Sequence, residues 1–255
     1  MIVRENEDVF TLIEQHRHGM IAGHIAFNWR EDIFPGIAHR ESVLYAVTNH
    51  DYGWKPIDEQ PFWNDKKQMP YMFMDFPLLP RLVFYRYGID QVARHDAYAG
   101  LLCSRHYVQF LINDETSEVH EFIRYEERRQ AQLKKKVPNF DSALFDAHYG
   151  FLQLCDNLSL YICLNDPGVP KDKEHSFFRN GVPIPPALDT LKQTKLQPEW
   201  KDLQTIIMDQ FVFQHPITIP IKQKKIHKHK IQEKGFLNTY QETPTQIMNV
   251  SLVPA

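Results

Sequence analysis

The sequence has little glycine, little cysteine and no long hydrophobic run, and each shortage excludes a class of protein. Only 10 of the 255 residues are glycine, and the chain lacks both the glycine-rich phosphate loop and the dinucleotide-binding fingerprint of nucleotide-binding proteins. Three cysteines are too few, and odd in number, for a disulfide framework. Because no apolar run reaches the roughly 18 residues that a bilayer requires, a membrane partner is not expected.

The overall composition is that of an ordinary globular protein, with 43% hydrophobic and 24% charged residues. The N-terminus lacks the order of basic, apolar and small residues that marks a signal peptide, so a cytoplasmic location is expected. A formal net charge of -3 gives no reason to expect nucleic acid as a partner. What the chain does have is 13 histidines, and histidine is the commonest metal ligand.

The hydrophobic pattern predicts that the first two-thirds of the chain are helical. A 3.6-residue period runs from Phe10 to Trp29. Similar patterns predict further helices at about 40–51, 78–87, 97–112, 115–135 and 142–164. Residues 55–80, rich in proline and aromatic residues, are expected to form a long covering loop.

After residue 168 the pattern changes, because prolines become frequent and some apolar residues alternate with period two. The runs at 217–221 and 247–253 therefore predict short strands. We expect a mainly α protein with a helical body over residues 1–168. A small β appendage, the strand-containing and proline-rich residues 169–255, is expected to pack on that body.

The strongest chemical signal is the dipeptide His50-Asp51 at the end of the second predicted helix. One imidazole and one carboxylate suit a borderline divalent metal such as Mn, Fe, Co or Zn. His18 lies on the buried stripe of the first predicted helix, and Asp156 lies on the apolar face of the last one. A buried imidazole needs a polar partner and a buried carboxylate is costly unless it is paired or bound to metal. Three separate helices thus each direct an unexpected polar group inward.

Each of these residues also has a purely structural interpretation. His18 can be a hydrogen-bonded core histidine, and Asp156 can be a helix cap or an ion-pair partner. A His-Asp dipeptide also arises by chance, as His95-Asp96 shows in this same chain.

The order His, His-Asp, Asp along a helical body resembles the HD superfamily of metal-dependent phosphohydrolases. The resemblance implies an HD-domain-like helical bundle in which His18, His50, Asp51 and Asp156 hold one divalent cation. Members with additional histidines hold a second metal. His106 is the best additional candidate here, and His95 and His148 are weaker ones. The resemblance therefore implies His106 as a further metal ligand, and His106 and Asp51 as the residues closest to the chemistry.

Longer stretches look like an uncharacterised bacterial family, domain-of-unknown-function family 3891. The similar segments are Gln15–Gly23 around His18, Trp29, His50–Trp54 and Asp96–His106. This family has no established reaction, so the resemblance implies a fold and a residue pattern but no substrate. Arg17 before His18 departs from the usual pattern, and His16 and His24 lie near enough to complicate the choice of ligand.

Together these features predict a metal-dependent hydrolase of phosphate esters or related bonds, acting on a small anionic molecule. One or two divalent ions are expected, with Mn, Fe, Co, Zn or Ni as candidates. Two alternatives remain open. One is an HD-type di-iron oxygenase, and the other is a non-catalytic, metal-stabilised module that binds a small molecule or a protein.

The stretch Lys222–Lys234 holds six lysines and no aromatic residue. One interpretation is a patch for an anionic partner. The other is a solvated hairpin whose lysines protect an edge strand from aggregation. Without aromatic residues between the lysines, nucleic-acid binding by base stacking is not expected.

Overall fold

The structure, a computed structural model, describes residues 1–188 and 190–255. Most helices lie in the first two-thirds of the chain. These are α1 (Gln15–Phe27), α2 (Arg40–Asn49), α3 (Lys55–Glu59), α4 (Leu78–His95), α5 (Ala97–Leu111), α6 (Ser117–Lys134) and α7 (Ser142–Leu164). Two short helices, α8 (Lys228–Lys234) and α9 (Phe236–Glu242), follow in the last third. Within the described residues, no helix is both long enough and apolar enough to cross a membrane.

The strands come from both ends of the chain and from the middle. They are β1 (Ile2–Glu5), β2 (Val9–Ile13), β3 (Trp63–Asn64), β4 (Met69–Pro70), β5 (Val182–Pro183), β6 (Lys195–Leu196), β7 (Pro198–Trp200), β8 (Thr205–Met208), β9 (Ile217–His227) and β10 (Gln246–Pro254). Six of them form one sheet in the order β1-β2-β9-β10-β8-β7. Neighbours pair antiparallel except β10 and β8, which are parallel.

The prediction of a mainly α, HD-domain-like bundle with a small β appendage is wrong. The chain is a mixed α/β protein, 49% helical and 18% strand, and its six-stranded sheet curls into a half-barrel. Two of the six strands, β1 and β2, come from the first 13 residues. The sheet is therefore built from both ends of the sequence.

The misassigned segment is Val9–Ile13, which the sequence pattern placed partly in the first helix. It forms β2 instead, and four of its five side chains are buried. Phe10 and Leu12 lie in a cluster with Phe236 and Tyr240, and Ile13 lies in the main core, so both faces of the strand are covered. A strand that is buried on both faces shows a continuous apolar run, which periodicity alone cannot distinguish from a helix. Helix α1 accordingly begins only at Gln15.

The helices predicted at 40–51, 97–112, 115–135 and 142–164 are confirmed to within two residues at each end. The helix predicted at 78–87 continues to His95, and the segment 55–80 is more structured than expected, since it contains α3 and the β3–β4 hairpin. Helix α5 is central to the helical part and packs against α2, α4, α6 and α7. Helix α1 packs against α2, α7 and β9, which joins the helices to the sheet.

The basic stretch is neither a hairpin nor an edge strand. Residues Lys222–His227 belong to β9, which lies between β2 and β10 inside the sheet, and Lys228–Lys234 form α8. The interpretation in which these lysines protect an edge strand is therefore wrong.

Candidate metal centre

The five side chains proposed as metal ligands converge from four helical elements. His18 lies in the middle of α1, His50 and Asp51 directly follow α2, His106 lies in α5 and Asp156 lies in α7. All five are buried, with Asp156 the most exposed at 6%. Two groups of three residues have ligand atoms within 4.8 Å of one another: His18, His50 and Asp51, and His50, His106 and Asp156.

Two glycines in α1 allow the backbone of α2 to approach closely. A Cβ atom at Gly23 would lie 2.2 Å from the Thr48 hydroxyl oxygen, and one at Gly19 would lie 3.1 Å from the Thr48 carbonyl oxygen. The close packing brings the imidazoles of His18 and His50 to a centroid separation of 5.0 Å. The sequence Gly19-x-x-x-Gly23 thus sets the spacing between two elements of the centre.

Asp156 is the carboxylate at which the imidazoles meet. Its Oδ1 lies 2.9 Å from His18 Nε2 and 3.3 Å from His50 Nε2. Its Oδ2 lies 3.7 Å from His106 Nε2. Asp51 Oδ2 lies 3.7 Å from the same His50 Nε2.

Backbone carbonyls fix the orientation of two imidazoles. His18 Nδ1 lies 2.9 Å from the Gln15 carbonyl oxygen, and His50 Nδ1 lies 2.7 Å from the Val47 carbonyl oxygen. A carbonyl can only accept, so each Nδ1 carries the hydrogen and donates it. In a neutral ring this leaves the Nε2 lone pair directed toward the carboxylates, which is the arrangement typical of metal-bound histidine.

The residues present fit a divalent cation. In their neutral form, His18 and His50 place two Nε2 lone pairs against the oxygens of Asp51 and Asp156, so acceptors face acceptors. Metal–ligand bonds of about 2.0–2.2 Å place ligand atoms on one ion roughly 3–3.5 Å apart, close to the separations seen here. A mixed nitrogen and carboxylate donor set suits Zn, Mn, Fe, Co or Ni better than Mg or Ca.

When only protein groups are counted, one proton, on His50, offsets one of the two carboxylate charges of the cluster. Burial lowers the pKa of His18 and of His106 to about 3. Burial also lowers the pKa of His50, but the carboxylates of Asp51 and Asp156 outweigh it and hold that pKa at about 9. The pKa of Asp156 falls to about 2, because the attraction of His50 overcomes the effect of burial. A bound cation would replace the His50 proton.

His106 lies at the edge of the cluster. Its ring centroid is 5.1 Å from that of His50 and 4.5 Å from that of Phe110, which is 59% exposed. Among the described residues, its Nδ1 has no hydrogen-bond partner although the atom is buried. His106 Nδ1 is therefore uncommitted, as is His50 Nε2, which faces the carboxylates of Asp51 and Asp156.

A comparison with known protein families finds a match that covers most of the chain. The family described as "Protein of unknown function (DUF3891)" matches residues 1–228, which include every residue of the cluster. The chain belongs to this family. No curated protein and no solved structure shows a significant match. The family match does not extend to the HD superfamily, so that resemblance rests on the order of the ligands alone.

Two further residues of this DUF3891 member support the cluster, although the sequence did not single them out. Gln15 Nε2 donates to Asp51 Oδ2 at 2.8 Å, and the Tyr107 hydroxyl donates to Asp51 Oδ1 at 3.1 Å. Gln15 precedes His18 by three residues, so helical spacing could have placed it on the same face. Tyr107 merely follows His106 in the chain, and nothing in the pattern separates it from a core aromatic residue.

The remaining histidines that the sequence raised lie elsewhere. His95 packs on Tyr45, and Asp96 caps α5 by accepting from the Ala99 backbone N–H at 2.7 Å, so the second His-Asp dipeptide is structural. His148 bonds through Nδ1 to the Tyr98 hydroxyl at 2.7 Å. His16 packs edge-on against Tyr52.

Proposed function

We propose that this protein is a metal-dependent hydrolase of phosphate esters or related bonds. His18, His50, Asp51 and Asp156 would hold one divalent cation, and His106 would handle a proton. The observation that carries the proposal is the convergence of two backbone-oriented imidazoles on two buried carboxylates. The order of these residues along the chain, which resembles that of the HD superfamily, also supports it.

The protein's own groups have distinct parts in this proposal. Gln15 and Tyr107 hold Asp51 so that its carboxylate keeps one orientation. His106 accepts or returns a proton at Nδ1, its uncommitted ring nitrogen. A bound divalent ion lowers the pKa of a water molecule toward neutrality and polarises a phosphoryl oxygen. We propose a small anionic substrate because a bound cation would attract an anion electrostatically.

Elemental analysis of the freshly purified protein and an assay with bis(p-nitrophenyl) phosphate test the proposal together. We expect about one bound divalent ion per chain, and we expect His50→Ala to lose both the ion and the turnover. His95→Ala is the matched control, because it alters the other His-Asp dipeptide, and it should keep both. A protein that carries no metal after exposure to each candidate ion, or a His50→Ala variant with full metal content and turnover, would rule the proposal out.

The burial of the cluster favours a second candidate, a module in which the metal stabilises the fold without catalysis. No cluster side chain of the described residues exceeds 8% exposure. In that case a chelator lowers the melting temperature, but metal-loaded protein turns over no phosphoester. The group His50, His106 and Asp156 is a second set of possible ligands, and it shares His50 with the first set. Two irons in a coloured preparation would instead support a di-iron oxygenase.

A further inference from the structure

A cleft separate from the metal centre opens between the β3–β4 hairpin and the helices α8 and α9. Its volume is about 830 Å³, and the described residues that line it include none of the cluster. Small-molecule sites usually measure about 300–1,000 Å³, so the cleft has the size of a ligand pocket. Helix α9 and most of α8 lie beyond residue 228, where the family match ends.

Aromatic and aliphatic side chains form the walls of this cleft. Trp63 and Phe236 lie side by side with ring centroids 5.4 Å apart and planes tilted by 41°. Phe62 and Leu237 also line the cleft, although they are 53% and 39% exposed. Large apolar side chains that are exposed inside a concavity, rather than scattered over the surface, mark a binding site.

The turn between α8 and α9 has a backbone conformation that favours glycine. Gly235 has φ +80° and ψ 160°, a conformation that is essentially restricted to glycine. A Cβ built there would meet no described atom within 4 Å. The turn also places Phe236 and Leu237 at the start of α9, in the cleft wall.

The charges that line the cleft are predominantly positive. Lys228 and Lys67 are lining residues, against Glu5 as the acidic one among the residues described. Lys228 Nζ lies 2.7 Å from Glu5 and 4.9 Å above the ring of Phe10, and Lys67 Nζ lies 2.7 Å from Asp75. Surface ion pairs of this kind contribute only about 0–1 kcal/mol, so an anionic group of a ligand can compete for either lysine.

We propose that this cleft binds a small molecule with a flat, apolar ring system and one anionic group. The rings would pack against Phe62, Trp63 and Phe236, and the anion would pair with Lys228. This site does not depend on the proposed function, because its walls contain no residue assigned to the metal centre.

Two fluorescent probes with the same ring system test the proposal. One is 8-anilinonaphthalene-1-sulfonate, which is anionic, and the other is N-phenyl-1-naphthylamine, which is neutral. We expect both to bind the folded protein with a stoichiometry of one, and the sulfonate to bind several-fold more tightly. Binding should persist in chelator-treated protein that keeps its near-ultraviolet circular dichroism, which separates this site from the metal centre.

Three variants locate the binding site. Phe62→Ala should weaken the binding of both probes about tenfold, the equivalent of about 1.4 kcal/mol. Phe177→Ala truncates a phenylalanine elsewhere with a similar exposure of 55%, and it should leave the affinity for both probes unchanged. Lys228→Gln should remove the preference for the sulfonate and leave the affinity for the neutral probe unchanged. Equal effects of Phe62→Ala and Phe177→Ala, or no binding at all, would refute the site, and an unchanged preference in Lys228→Gln would refute its anionic part.

Discussion

At the scale of single residues, Asp51 is the carboxylate of the candidate metal centre whose two oxygens both accept hydrogen bonds from protein donors. Gln15 reaches it from the first turn of α1, and Tyr107 reaches it from α5. The ring of Tyr107 is itself fixed by stacking on Tyr85 at 4.0 Å. Such supporting hydrogen bonds determine which lone pair a carboxylate offers to a metal.

Tyr107→Phe should therefore weaken metal binding about 10- to 100-fold, because Asp51 loses one of its two anchors while the stacked ring remains. The dissociation constant for Zn²⁺ or Mn²⁺, measured by competition with a chelating indicator, checks this. Loss of the hydrogen bond should also cost about 1–3 kcal/mol of unfolding free energy.

Tyr161→Phe is the matched control for this prediction. The Tyr161 hydroxyl donates to the buried carboxylate of Glu174 at 2.6 Å, and neither residue belongs to the cluster. This variant should lose comparable stability but keep the metal affinity of the unaltered protein. If both variants bind metal equally well, Tyr107 is a structural residue only.

Two members of the cluster could be identified from the sequence because each was an anomaly against its surroundings. A histidine or an aspartate on an apolar stripe needs an explanation, so His18 and Asp156 could be found without coordinates. Gln15 and Tyr107 could not be found in this way. A glutamine at the start of a helix and a tyrosine in an apolar helix are both ordinary, and their role appears only when α1 and α5 meet at Asp51.

At the scale of secondary-structure elements, the contact between α1 and α2 controls the distance between His18 and His50. Gly23 faces Thr48, and a Cβ there would lie 2.2 Å from the Thr48 hydroxyl oxygen and 3.1 Å from its Cα. The Cα belongs to the backbone, so a rotation of the threonine side chain alone cannot relieve the clash.

Gly23→Ala should consequently destabilise the protein and weaken metal binding, although alanine is the better helix former by about 1 kcal/mol. Overpacking of this kind costs about 1–3 kcal/mol, and separation of α1 from α2 moves two ligands apart. Urea denaturation and metal titration measure the two effects.

Gly150→Ala in α7 is the control, since its Cβ would meet its nearest neighbour, a side-chain atom of Pro185, at 3.2 Å. We expect this variant to change metal affinity little. If Gly23→Ala keeps the metal affinity of the unaltered protein while losing stability, the α1–α2 contact does not set the ligand spacing.

Element boundaries also show where the sequence pattern was insufficient. Helices α5, α6 and α7 have one apolar face or clear end signals, such as Asp141, which caps α7 by accepting from two backbone N–H groups. The segment Val9–Ile13 is buried on both faces, because Phe10 and Leu12 pack in the cluster with Phe236 and Ile13 packs in the main core. Its strand identity depends on β9, which lies more than 200 residues later in the chain.

At the scale of the whole molecule, the sheet and the helices are joined through buried polar contacts. Arg4 in β1 donates to the carbonyl oxygen of Asn165 at 2.7 Å, just after α7, and to the side chain of Gln223 in β9 at 3.0 Å. The N-terminal strand thus connects the end of a core helix to a strand from the last third of the chain. We infer that helices and sheet unfold as one cooperative unit.

Arg4→Met tests this inference, because it removes a 7%-exposed guanidinium and leaves the buried Asn165 carbonyl and the Gln223 side chain without their donor. We expect a loss of roughly 2–4 kcal/mol of unfolding free energy. The transition should remain single and coincide when it is followed by far-ultraviolet circular dichroism and by tryptophan fluorescence. Arg30→Met, which breaks the exposed ion pair with Asp32, should change stability by less than about 1 kcal/mol. Two separated transitions in Arg4→Met would show instead that the helices and the sheet are independent units held together mainly by this arginine.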